Sequence, residues 1–285
     1  MEKKLTAQGP RSRKSYTVTI PIEWIKQQHL DKTRSVELEI VGNKVVISKC
    51  SDPERTTIIK EKEYKKTIVK ILQGLYRYGV SEIKIFFDTN NFLGDILDIV
   101  EKRLLGYEVV EQKKDYVIIR DIVGESTENF MTVFRRIFLL LMQLSEASDP
   151  TEVSSLARTI RKFINYCQRI LMRKGHADYR KTPIYYLILD RLEKIGDEFV
   201  WLSETKSSNP RIKELYSLLR SAYELFYTYN YEKYELSANK AYEMKNEIKL
   251  KENIKVETMH IHNIARLINS LYGDIYIIKC DAYDQ

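Results

Sequence analysis

The sequence predicts a multidomain α+β protein, with a β domain over residues 1–52, a small α/β domain over 53–125 and an all-α bundle over 126–285. Three observations carry this. The first fifty residues alternate around β-branched side chains, the next seventy mix short strand and helix rhythms, and the remainder repeats apolar residues at three and four. A length of 285 residues suits two or three compact units.

In the first segment, Ser15 to Ile20 alternates as a half-buried strand does, and Pro21 suits the first turn of a short helix through Ile22, Trp24, Ile25 and Gln28. Ser35 to Val41 alternates again, Gly42 and Asn43 supply a tight turn, and Lys44 to Ser48 returns as the hairpin partner. About fifty residues of this kind cannot close a large core alone, so dimerisation or support from the rest of the chain is expected.

Pro53 opens the second segment. It reads as a strand at Thr57 to Lys60, a helix from Tyr64 to Tyr78, a strand at Glu82 to Phe87, a helix from Phe92 to Leu105, and a hairpin-like pair between Glu108 and Asp121.

Six helices follow. Phe130, Val133, Phe134, Ile137, Phe138 and Leu141 form the first apolar stripe; Val153 to Leu171 carries the second and Ile184 to Leu202 the third. Three more run over roughly 210–229, 231–249 and 255–280. Asp149-Pro150, Thr182-Pro183 and Asn209-Pro210 each pair a capping residue with a proline at a helix start. Two sets of three helices of similar length suggest a duplicated unit.

Charge is unevenly placed. Residues 1–50 hold ten Lys/Arg and five acids, hence +5 of the total +7. A local basic excess raises affinity for polyanions by counterion release, which points to nucleic acid as the partner of the N-terminus. Cys50, Cys167 and Cys280 show no CxxC spacing, so neither a disulfide framework nor a zinc knuckle is expected. No secretory leader or membrane-length apolar run is legible, and a cytoplasmic location is expected. Phosphate-binding glycine loops and catalytic motifs are absent, and no nucleophile–base pair can be assigned, so the chain is not expected to be an enzyme.

The first candidate site is the basic loop Arg11, Arg13 and Lys14, joined by Lys4 and Arg34, whose cations can reach phosphates or base edges. Lys3-Lys4-Leu5, the run from Ser15 to Trp24, Leu30-Asp31-Lys32, Val36 to Ile40 and Lys44 to Ile47 together resemble AbrB/MazE/SpoVT DNA-binding domains. That resemblance implies an intertwined, swapped-hairpin homodimer that binds DNA. Thr33 and Arg34 stand where a Gly-Asp pair is more usual, and residues 10–14 lengthen the first loop.

The second candidate is Asp190, Glu193 and Asp197, whose spacings of three and four place the carboxylates on one helical face, opposite the stripe of Ile188, Leu192, Ile195 and Phe199. Such a face is either plainly solvated or a cation site. Gly196, mid-helix, points to close packing or to a site. Leu192 to Asp197 is similar to the signature of PhoU domains, which are built of two three-helix repeats; Ser270 to Asp274 aligns as the second copy, with Ser270 in place of its first acid. This resemblance implies a surface that binds iron, zinc or another divalent metal through Asp190, Glu193, Asp197 and Asp274. The helix from Ala157 to Arg169 carries Arg158, Arg161 and Lys162 rather than acids. His260 and His262 are expected at the surface or a helix start, and the tyrosines from Tyr223 to Tyr234 in helix packing.

The combined order is similar to archaeal phosphate-uptake regulators. It implies a dimeric transcriptional regulator of phosphate homeostasis whose bundle senses a ligand or a phosphate-transporter or sensor protein. The alternatives are a metal-binding scaffold without DNA binding, and a MazE-like antitoxin.

Overall fold

The computed structural model describes residues 3–10, 14–41, 44–49, 56–64, 67–123, 130–176, 178–247 and 254–280. The chain forms two compact units, Met1–Pro53 and Glu54–Gln285, so the α/β layer and the helical bundle share the second. It is a mixed α+β protein with small N-terminal sheets and a C-terminal helical region.

In the first unit, β1 (Thr6–Gln8) pairs antiparallel with β2 (Ser15–Thr17). The strand predicted to reach Ile20 stops at Thr17, because its partner supplies only three residues. Pro21 caps α1 (Ile22–Gln27) instead of occupying its first turn. After α2 (Leu30–Thr33), β3 (Val36–Val41) and β4 (Lys44–Lys49) pair with Leu38 opposite Ile47 and Ile40 opposite Val45. The predicted turn at Gly42 and Asn43 lies outside the described residues.

This unit has almost no interior. Leu30 is its only buried residue among those described. Leu38 and Ile40, expected on a half-buried strand, are 64% and 80% exposed, and Val45, opposite Ile40, is 64% exposed. The alternation is present, but none of the unit's described residues covers the apolar face it builds.

In the second unit, β5 (Thr56–Lys60), α3 (Glu61–Tyr64), α4 (Ile68–Tyr78), β6 (Glu82–Phe86), α5 (Asn90–Arg103), β7 (Tyr107–Gln112) and β8 (Tyr116–Asp121) form a four-stranded sheet with its helices. The strand order is β5-β6-β8-β7, with β5 parallel to β6 and the other pairs antiparallel. Ile83, Ile85, Val117 and Ile119 bury one sheet face against Ile68, Leu72 and Tyr76 of α4 and Phe92, Ile96 and Ile99 of α5. The helix predicted from Tyr64 starts four residues later. Before it, the Glu61 carboxylate accepts from the Asp88 and Thr89 amides (2.6 and 3.0 Å) and from the Thr89 hydroxyl, tying α3 to the start of α5. Gly79 ends α4 at φ +93°, and a Cβ there would overlap Arg173.

Among the described residues, six further α-helices follow: α6 (Phe130–Glu146), α7 (Pro150–Arg173), α8 (Thr182–Glu204), α9 (Arg211–Tyr227), α10 (Tyr231–Glu247) and α11 (Val256–Lys279). Asp149 caps α7 as its spacing predicts, accepting from the Glu152 amide at 2.9 Å. Thr182 does not cap α8; it is the first helical residue, and its hydroxyl accepts from the His176 amide. Asn209 acts one residue earlier than expected, accepting from the Arg211 amide at 3.0 Å. Phe134, Phe138, Tyr185 and Phe226 form an aromatic centre for the core. Tyr223 and Tyr234 pack against Phe138 and Tyr272, as the tyrosine-rich run predicts.

Gly196 is explained by packing. A Cβ there would lie 3.2 Å from Leu141 Cδ2 and 3.8 Å from Ile160 Cγ2, so α8 approaches α6 and α7 closely at this point. Gly196→Val is expected to cost about 1–3 kcal/mol by overpacking, read as a lower urea midpoint with unchanged slope.

Candidate functional site: a basic ribbon and a charge-paired helix face

The N-terminal cations occupy different places. Lys14 directly precedes β2, at the end of the β1–β2 ribbon where Ser15 faces Gln8, and Lys4 lies beyond the opposite end, where Thr6 faces Thr17. Both are exposed. Arg34 follows α2 in the left-handed region at φ 49° and is also exposed. Arg11 and Arg13 lie outside the described residues.

Asp190, Glu193 and Asp197 of α8 are each matched by a cation. Asp190 pairs with Lys194 one turn along the same helix (2.6 Å). Glu193 receives Arg77 of α4 at 3.2 Å on both oxygens. Asp197 receives Arg161 of α7 at 2.6 Å. Asp190 remains part exposed, whereas Glu193 is turned into the contact between the α/β layer and the bundle. The solvated stripe expected at Glu193 is therefore a seam between two layers.

Asparagine and arginine complete that seam. Asn165 is fully buried; its Oδ1 accepts from Arg77 Nε (2.7 Å), and its Nδ2 donates to the Arg103 carbonyl (3.1 Å). Arg169, 1% exposed, donates to the carbonyls of Tyr76 (2.7 Å) and Val80 (2.8 Å) and to Asp121 (2.9 Å). Its guanidinium sits 5.0 and 5.1 Å from the Tyr76 and Tyr107 ring centres. Burial pushes the Tyr107 phenol up to about 12, which keeps it a donor.

Asp274 stands apart from the other three acids. It lies on α11, 5% exposed, with Arg191 Nε of α8 at 2.7 Å but not aligned as a hydrogen bond. Burial pushes its carboxyl up to about 6, and Arg191 pulls it back only in part. The folded chain thus holds this proton more tightly than the unfolded chain, whose aspartates titrate near ~3.9. The stabilisation from this group is full below about pH 4 and lost as pH rises through about 6. Asp274→Asn is expected to remove that slope: urea midpoints of wild type should fall relative to the variant between pH 4.5 and 6.5.

Among the described residues, no three of His, Cys, Asp or Glu come together to hold a metal. Between Glu193 and Asp197 lies a cavity of only about 10 Å³, walled by Ala157, Ile160 and Arg161. That is room for one water at most. A cation on this face would have to displace Arg77 and Arg161 from their carboxylates.

Sequence reasoning missed the partners. Arg158, Arg161 and Lys162 were legible as a basic counter-face on α7, and that was the available signal for the Asp197 pair. His260, expected near the surface, is buried, with Nδ1 2.7 Å from Glu198 Oε2, while Asn263 donates to Oε1 of the same carboxylate. Cys167 is buried, and its thiol is pushed up by burial, so it packs and does not react.

The architecture defines a class: a two-unit α+β protein whose larger unit locks a four-stranded α/β layer onto a helical bundle through the buried Arg169 and the part-buried Arg77. No family model, curated protein or solved structure matches the chain. No helix among the described residues is long and apolar enough to cross a membrane.

Proposed function

We propose that the chain is a DNA-binding transcriptional regulator. Its N-terminal unit pairs with a second copy to grip the duplex, and the larger unit acts as the sensory or partner-binding body. The observation that carries this is the uncovered apolar face of β3 and β4, in a unit whose first fifty residues hold +5 of the chain's +7 charge. Leu38, Ile40 and Val45 face one way, and covering each is worth about 1.5–3 kcal/mol. A second identical hairpin supplies an equivalent face, and two-fold pairing brings two basic loops to one surface. Lys4, Lys14 and Arg34, all exposed, and Arg11 and Arg13 from the same unit are the DNA-contacting residues of this reading. The resemblance to phosphate-uptake regulators supports phosphate homeostasis as the regulated process.

Gel-shift titration on the chain's own upstream DNA, with metal content measured on the same preparation, tests the reading. A shifted band that persists after chelation supports it. Bound metal without any shift replaces it with a metal-binding scaffold.

A further inference from the structure

A cleft of about 1690 Å³ lies in the second unit beside the acidic face, sharing Ala157 and Arg161 with the small cavity there. It runs from the C-terminal turn of α5, across the α6–α7 connection, to the α8–α9 connection. Its floor is apolar, with Val153, Ala157, Phe199, Leu202, Ile212 and Tyr216. Its rim is basic. Lys102 pairs with Asp98 and Arg161 with Asp197. Arg103, Arg158, Lys206 and Lys213 also line it, and their side chains make no hydrogen bond or ion pair with a described residue, against only Glu146 and Glu204 as remaining acids. Ser145, Ser148, Ser154, Ser203, Ser207 and Asn209 add short polar side chains.

Two features show that this charge is held at a cost. Arg103 is half-buried, and its burial and the nearby Arg161 guanidinium disfavour its charged form by more than Asp98, Glu193 and Asp197 favour it. Lys206 ends the α8 region in the left-handed conformation at φ 50°, where glycine is the unstrained choice. Retained strain of this kind marks candidate ligand sites.

From this cleft we infer a binding site for a nucleoside polyphosphate. Its volume exceeds the roughly 300–1,000 Å³ of ordinary small-molecule pockets, so an isolated phosphate would leave most of it empty. The cations suit more than one phosphate, the serines suit sugar hydroxyls, and the floor beside Tyr216 and Ile212 suits a base. The site does not depend on the N-terminal unit binding DNA.

Calorimetric titration of the full chain with magnesium-free ATP, adenosine and inorganic phosphate tests it. Saturable ATP binding, at least about tenfold tighter than either fragment, is expected. Arg158→Gln, at an exposed position, should weaken ATP about tenfold. Lys206→Gly should weaken ATP while raising the Tm of the unliganded chain by about 2 °C, because it removes a charge and relieves strain together. Three results overturn the inference: no saturable ATP binding up to about 5 mM, affinity unchanged in both variants, or a single-stranded oligonucleotide saturating the site where ATP does not.

Discussion

Arg169→Ala is expected to destabilise the Glu54–Gln285 unit by about 3–5 kcal/mol, the usual cost of removing one partner from a buried ion pair. Four acceptors each lose a donor at once: the carbonyls of Tyr76 and Val80, the Tyr107 hydroxyl and the Asp121 carboxylate, which is 7% exposed. Val80 keeps the Tyr107 hydroxyl, Tyr76 keeps the Gly79 amide and Asp121 keeps Arg173 at 3.8 Å, so the unit is weakened at its seam but not emptied of partners. The two tyrosine rings also lose the cation stacked between them. Arg169→Lys should recover little, because a single ammonium cannot reach carbonyls and carboxylate in the fork that guanidinium provides. Urea unfolding followed by circular dichroism measures the effect; a loss below about 1 kcal/mol would show that the seam does not hold the layers together.

Ile40→Asp is expected to abolish self-association through the N-terminal unit and to weaken DNA binding by roughly 100-fold, because one protomer alone presents half the cations. Ile40 is 80% exposed in the single chain, so the substitution should leave the monomer's fold intact. A charge there is costly only if another surface covers the face. Val110→Asp, at an exposed position on β7, is the matched control. Sedimentation equilibrium reads the outcome. Equal association of wild type and Ile40→Asp would mean that β3 and β4 form no interface.

The helices were largely legible because their signal is local. The stripes from Phe130 to Leu141 and from Val153 to Leu171 carry enough apolar residues at helical spacing to place α6 and α7 to within a few residues. Asp149 capped as predicted because its partner is three residues away. Thr182 did not, since its hydroxyl is taken by the His176 amide, a contact set by the path of the preceding loop. β1 escaped notice because Thr6, Ala7 and Gln8 offer no apolar alternation. The acidic face shows the same divide. The spacing of Asp190, Glu193 and Asp197 was plain, but their neutralisation by Lys194, Arg77 and Arg161 needed two layers to meet, and Arg77 lies 116 residues from Glu193. The cleft rim likewise gathers cations from α5, α7 and the α8–α9 connection that no local pattern links.

The most direct measurement is fluorescence anisotropy of a labelled duplex titrated with the full chain at several salt concentrations. In the proposed dimer, two copies of the loop cations Arg11, Arg13 and Lys14 would neutralise six phosphates, and at about −0.9 per phosphate the log–log slope from this loop should lie near −5. Affinity that stays flat across salt, or no binding at all, would contradict a DNA-gripping N-terminal unit.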